Sequence, residues 1–96
     1  MGNIIIIISW FPTTFDSEIK RQLTYLAIGY GFSLQDDIPY SQYNYSKSQY
    51  GVKIPSVKAR IWQNYYSKKI DNFKDECTKL LDNMNVYAVE ISVVYT

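Results

Sequence analysis

The groups that most often perform catalysis are scarce in this chain, and the residue types that recognise other molecules are concentrated in two stretches. Among 96 residues there is no histidine and one cysteine, Cys77. That composition removes His-based triads and most soft-metal sites and precludes an internal disulfide; a reducing, cytoplasmic setting is expected. Cys77 falls on an apolar helical stripe between Phe73 and Leu80/Leu81, so a buried, inert thiol is expected. The carboxylates are poorly placed for paired work. Asp36 and Asp37 are adjacent and would point to opposite faces of a strand. Asp16 and Glu18 suit the start of a helix, where the dipole favours negative charge. A Mg²⁺ ion on one or two carboxylates plus substrate phosphates is compatible with the sequence. No catalytic residue, metal ligand or cofactor is assigned.

The first recognition stretch runs from Lys47 to Lys69. It holds Lys47, Lys53, Lys58, Arg60, Lys68 and Lys69 without an acidic residue, interleaved with Tyr50, Trp62, Tyr65 and Tyr66. Residues 1–46 carry a net −2 and residues 47–96 a net +3, so a charge asymmetry lies inside the overall +1. Basic side chains track phosphates and aromatic rings stack on unpaired bases. Trp62 and Tyr66 belong to the buried stripe of a helix, which leaves Lys58, Arg60, Tyr65, Lys68 and Lys69 as the usable set. The competing reading is an ordinary solvated helix face.

The second stretch is residues 40–50, which contain Tyr40, Tyr43, Tyr45 and Tyr50 among Ser, Gln, Asn and one Lys. That is the composition of antibody paratopes: tyrosine supplies broad amphipathic contact with few rotamers to freeze, and small polar residues adapt their hydrogen bonds. The competing reading is a plain connector. Phe, Tyr, Met, Ile, Asn and Lys make up 42 of the 96 residues. Their codons are A/T-rich, which points to a low-GC bacterium, its phage or plasmid, or an archaeal virus, and makes Tyr and Lys partly a matter of base composition.

The elements that must position these stretches follow from periodicity. The chain is 47% hydrophobic and 20% charged, the balance of one small globular domain spanning 1–96. Five consecutive isoleucines, Ile4–Ile8, predict a strand covered on both faces and therefore central. Pro12 ends it. Thr13 or Thr14 is the expected cap of a helix whose apolar face is Ile19, Leu23, Leu26, Ala27 and Tyr30. Gly29 and Gly31 bracket its end. Phe32–Ile38 reads as a short strand, 40–50 as a loop, and Gly51–Ile54 as a brief strand. Ser56 is the expected cap of a second helical region. Trp62, Tyr66, Ile70, Phe73, Cys77, Leu80, Leu81 and Met84 keep helical phase there, in one long helix or two broken near Ser67–Asn72. Val86–Thr96 is a last strand, with Tyr87, Val89, Ile91, Val93 and Tyr95 on its apolar face.

The order β-α-β-β-α-β predicts an α/β (α+β) domain of the ferredoxin-like βαββαβ plan, an antiparallel sheet with both helices on one face. In that plan the first strand is central and the last lies at an edge. Val86–Thr96 has no Pro, no Lys and one charge, Glu90, so a homodimer or a partner contact along it is expected. Ile4–Phe11, a run of eight residues apolar but for Ser9, without a preceding basic residue or a following cleavage site, predicts neither signal peptide nor membrane span.

Ile7-Ile8-Ser9-Trp10-Phe11-Pro12-Thr13-Thr14-Phe15 is similar to the hydrophobic-Ser-aromatic-Pro-hydroxyl-hydroxyl-aromatic opening of GhoS-type antitoxin ribonucleases. Gly29-Tyr30-Gly31-Phe32 resembles the helix-to-strand junction of the CRISPR-associated integration-subunit/endoribonuclease family. The resemblance implies a small ferredoxin-like protein of prokaryotic defence. Those CRISPR-associated nucleases carry an Asp at the end of the first strand, where this chain has Ser9 or Trp10, so no catalytic residue carries over. Two functions are expected to compete. One is an interaction protein of the anti-CRISPR or anti-defence kind, binding a protein of a defence or nucleic-acid-processing machine through the tyrosine loop. The other is an RNA-directed antitoxin or ribonuclease-like module that binds RNA or DNA through segment 47–69.

Overall fold

Seven consecutive buried residues, Ile4–Trp10, form β1, and their burial on both faces dictates where it sits. A computed structural model describes residues 4–35, 46–54, 63–87 and 89–95, and of residues 34, 35 and 63–66 the backbone. The remaining elements are α1 (Asp16–Gly29), β2 (Ser33–Gln35), β3 (Ser48–Ile54), α2 (Gln63–Asn83) and β4 (Glu90–Tyr95). Among the described residues the result is a mixed α/β fold with one antiparallel sheet and two helices. The strands lie in the order β2-β3-β1-β4. β1 pairs with β3 (Ile4 opposite Ile54, Trp10 opposite Ser48) and with β4 (Ile4 opposite Tyr95, Ser9 opposite Glu90). The isoleucine run is therefore central, as its two-faced pattern requires.

Alternation along β1 divides its side chains. Ile4, Ile6, Ile8 and Trp10 enter one core with Ile19, Leu23 and Ala27 of α1 and Ile70, Phe73, Cys77 and Leu81 of α2. Ile5, Ile7 and Ser9 point the other way, in register with Lys53, Gly51 and Gln49 of β3 and Val94, Ser92 and Glu90 of β4. Of the region 56–85, left open as one long helix or two, the described residues Gln63–Asn83 form one continuous helix of 21 residues. Ile70 lies inward at 6% exposure between the outward Lys68 and Asp71 and keeps the phase through the polar stretch. Among the described residues no helix is long and apolar enough to cross a membrane.

Both helices end in the same way. Gly31 (φ 75°) and Asn85 (φ 58°) take the left-handed conformation just past the last turn. The N–H of the following residue then reaches back: Phe32 to the Ala27 carbonyl at 3.0 Å, and Val86 to that of Leu81 at 2.9 Å. These are Schellman closures, and each places an apolar residue, Phe32 or Val86, in the core. Two expected strand boundaries are thereby corrected. β2 begins at Ser33 and β4 at Glu90, because Phe32 and Val86 serve the helix ends. Residues 36–38 of the expected second strand lie outside the described residues, as do Ser56 and Trp62.

Two further expectations change. Neither Thr13 nor Thr14 caps α1; the capping position is Phe15, without a side-chain cap bond. Thr13 Oγ1 instead accepts the Phe15 N–H at 3.0 Å, since Asp16 is drawn towards Trp10 and leaves Thr13 in the turn before the helix. The loop read over 40–50 ends earlier, because Ser48–Tyr50 pair with β1 as the first residues of β3.

The two glycines at the end of α1 give opposite expectations. A methyl group at either would meet nothing within 4 Å, so only the backbone decides. Gly31→Ala should cost about 1–2 kcal/mol, the penalty of a left-handed residue with a Cβ. Gly29→Ala, in the helix, should stabilise by about 0.5–1 kcal/mol. Urea unfolding of both variants checks this; equal effects would contradict the placement of the helix end.

Candidate functional site

Among the described residues, Tyr50 and Lys47 of the stretches singled out for recognition are used inside the fold. Tyr50 lies in β3 opposite Ile8, on the face that packs against the helices, and is half-buried. Its hydroxyl is 2.7 Å from Thr24 Oγ1 of α1. Thr24 already donates its own proton to the Lys20 carbonyl at 2.7 Å, so Tyr50 is the donor. Tyr50 thus ties β3 to α1 and does not belong to a tyrosine loop. Its partner sits 26 residues away in sequence, which leaves no local signature.

Lys47 is similarly occupied. Its side chain is 12% exposed, and Nζ lies 2.6 Å from Glu90 Oε1 at the start of β4. The same ammonium lies 5.5 Å from the centre of the Phe11 ring, within cation–π range. Lys69 Nζ stands 5.8 Å over the Phe32 ring. Lys53 is half-buried on the sheet face opposite the helices, and Lys68 is exposed on α2. Tyr65 belongs to the first turn of α2 by its backbone. Tyr40, Tyr43, Tyr45, Lys58 and Arg60 lie outside the described residues.

Sequence reasoning missed a polar cluster around Asp16. Asp16 Oδ1 accepts from the Trp10 indole N–H at 2.8 Å, from the Thr13 N–H at 3.0 Å and from the Thr13 hydroxyl at 3.3 Å. Its Oδ2 accepts from the Ser48 hydroxyl. One carboxylate therefore joins the end of β1, the entry to α1 and the start of β3. Burial works to raise its pKa, but the hydrogen bonds from Ser48, Trp10 and Thr13 outweigh it and hold the group below the ordinary aspartate value. A carboxylate held ionised in this way is a fixed acceptor and a poor proton donor. The nearest signal in the sequence was the Trp-Phe-Pro-Thr-Thr-Phe-Asp string, read there as a helix entry and as part of the GhoS-like opening.

The other perturbed groups are also structural. Burial pushes the Cys77 thiol up to about 12, with Glu76 adding to the shift. At neutral pH almost none of it is thiolate, in keeping with the expected inert, buried role. Burial and a hydrogen bond with Glu76 push the Tyr30 phenol to about 12 as well. Tyr30 lines a shallow groove between the helices, about 400 Å³, with Tyr25, Leu26, Gly29, Lys69 and Glu76. Among the described residues no group of three or more Cys, Asp and Glu side chains is arranged to hold a metal ion.

Among the described residues, exposed aromatic surface remains at three places: Phe11 and Phe15 beside the entry to α1, Tyr25 on α1, and Tyr87 before β4 with Tyr95 at its end. No family model, curated protein or solved structure matches the chain.

Proposed function

We propose that this chain is a binding protein on a ferredoxin-like βαββαβ plan. It acts without catalysis, by engaging a protein of a defence or nucleic-acid-processing machine through the tyrosine-rich segment Tyr40–Tyr45. The strand order β2-β3-β1-β4, antiparallel at each of its three pairings, supports the plan. The observation that favours this reading over a nucleic-acid one is that three described residues of the basic-aromatic stretch are engaged within the fold. Lys47 is committed to Glu90 and Phe11, Tyr50 to Thr24, and Lys69 lies against Phe32. A groove that tracks a phosphate backbone needs its cations free to meet it, and counterion release scales with their number. The tyrosine segment has the composition for protein recognition and contains no charged residue between Tyr40 and Tyr45.

Titration of labelled mixed-sequence single-stranded RNA and duplex DNA at about 50 and 200 mM salt tests the reading. Wild type and the double variant Lys58→Glu/Arg60→Glu should bind equally weakly, with dissociation constants above about 10 µM at the lower salt. Tight binding that falls steeply with salt and disappears in the double variant would replace this reading with the nucleic-acid one.

A further inference from the structure

We infer that the outer edge of β4 is a self-association surface, on which a second copy of this chain adds its own β4 antiparallel about a two-fold axis. Among the described residues the outer strands of the sheet are β2 and β4. β2 is described over Ser33–Gln35, paired with β3. β4 has six residues and, among the described residues, pairs on one side only, with β1. Glu90–Tyr95 contains no Pro and no Lys, and its single charge, Glu90, is neutralised by Lys47 at the strand's first residue.

Burial is unfinished at this edge. Val52 and Ile54 of β3, flanked by strands on both sides, are fully buried. Ile91 and Val93 of β4 face the same core yet are only partly buried. Tyr95, next on that face, is 70% exposed.

The strand is complementary to itself. Antiparallel partners must share a sheet face, so only registers that pair like faces are allowed. Centred on Val93, the pairing sets Val93 against Val93 and Ile91 against Tyr95 on the helix side. On the other side it sets Ser92 against Val94. Every helix-side pair is apolar, which is the favourable kind of cross-strand contact. The two Glu90 carboxylates fall at opposite ends of the interface, so no like charges meet. The product is one continuous eight-stranded sheet with an isologous interface, closed by its own symmetry.

Sedimentation equilibrium of the whole chain between about 1 and 100 µM should show a monomer–dimer equilibrium, the range in which modest interfaces associate. Val93→Lys, which sets two ammonium groups against each other at the axis, should abolish the dimer. Tyr95→Lys alters a residue already exposed, so its fold is not at stake; it should weaken association at least tenfold. If Val93→Lys fails to fold, Tyr95→Lys decides. Amide exchange of wild type should slow in residues 91–95 as concentration rises and stay constant elsewhere at the sheet edges. A wild type that stays monomeric at 100 µM would overturn the proposal. So would a dimer with unchanged affinity in folded Tyr95→Lys and unchanged exchange in β4.

Discussion

Phe73→Ala is expected to destabilise the domain by about 3–5 kcal/mol, the range for removing a fully buried aromatic side chain. Phe73 has no exposed surface and packs from α2 against the turn that closes α1. Its ring meets Phe32 at 5.2 Å and Tyr30 at 5.3 Å between centroids, both edge-on, while Tyr30 and Phe32 stack at 5.6 Å. The geometry is the one aromatic quadrupoles favour. Phe32 and Tyr30 are placed there by the closure of α1 around Gly31, so the cluster couples a helix end to the middle of α2. A domain of this size has about 5–15 kcal/mol in total, and each kcal/mol shifts its melting temperature by about 4–8 °C. Melting should therefore fall by at least about 12 °C. Ile28→Ala, on the exposed side of α1, should change stability by less than about 0.5 kcal/mol. A loss near 1 kcal/mol at Phe73 would mean that the two helices do not share one packed core.

The second large effect is on binding. Replacing Tyr43 and Tyr45 together by Ala should weaken partner binding at least tenfold and leave the melting temperature nearly unchanged. Tyrosines near the centre of an interface commonly cost about 2 kcal/mol or more when truncated. The segment's tyrosines alternate with Ser, Gln and Asn, a pattern that does not build a core. Lys58→Glu/Arg60→Glu should weaken binding less, with an effect that fades as salt rises. Competition titration of the purified variants, with melting curves alongside, separates lost contact from lost fold.

What the sequence revealed was local, and what it concealed was long-range. Five β-branched residues in a row specify a strand buried on both faces wherever they occur, so the central place of Ile4–Ile8 was legible. So were the stripes Ile19-Leu23-Ala27 and Ile70-Phe73-Cys77-Leu81, because a 3.6-residue repeat needs no partner to be seen. The continuity of α2 through Ser67–Asn72 was not, since polar residues on an outward helix face and polar residues in a break look alike. Phe32 and Val86 were read as strand residues because a Schellman closure borrows an apolar residue from whatever follows the helix. The polar beginning of β3 was read as loop for a related reason. Ser48 and Tyr50 are stabilised in a half-buried strand by Asp16 and Thr24, 32 and 26 residues away. The Lys47–Glu90 pair spans 43 residues. Such contacts decide which cations and hydroxyls remain for a ligand, and they leave no spacing to read. Of the candidate recognition residues, Tyr50, Lys68 and Lys69 have described side chains, and two of those three are engaged within the fold.

The central claim is that recognition here is of a protein and runs through tyrosines. It is tested most directly by quantitative affinity capture from nuclease-treated host extract, with wild type, Tyr43→Ala/Tyr45→Ala and Lys58→Glu/Arg60→Glu compared side by side. The account predicts a defined protein retained by wild type and by the charge-reversed variant, resistant to nuclease, and reduced at least tenfold by the tyrosine substitutions. Capture that nuclease abolishes, or that the charge reversal eliminates while the tyrosine variant retains it, would contradict the account.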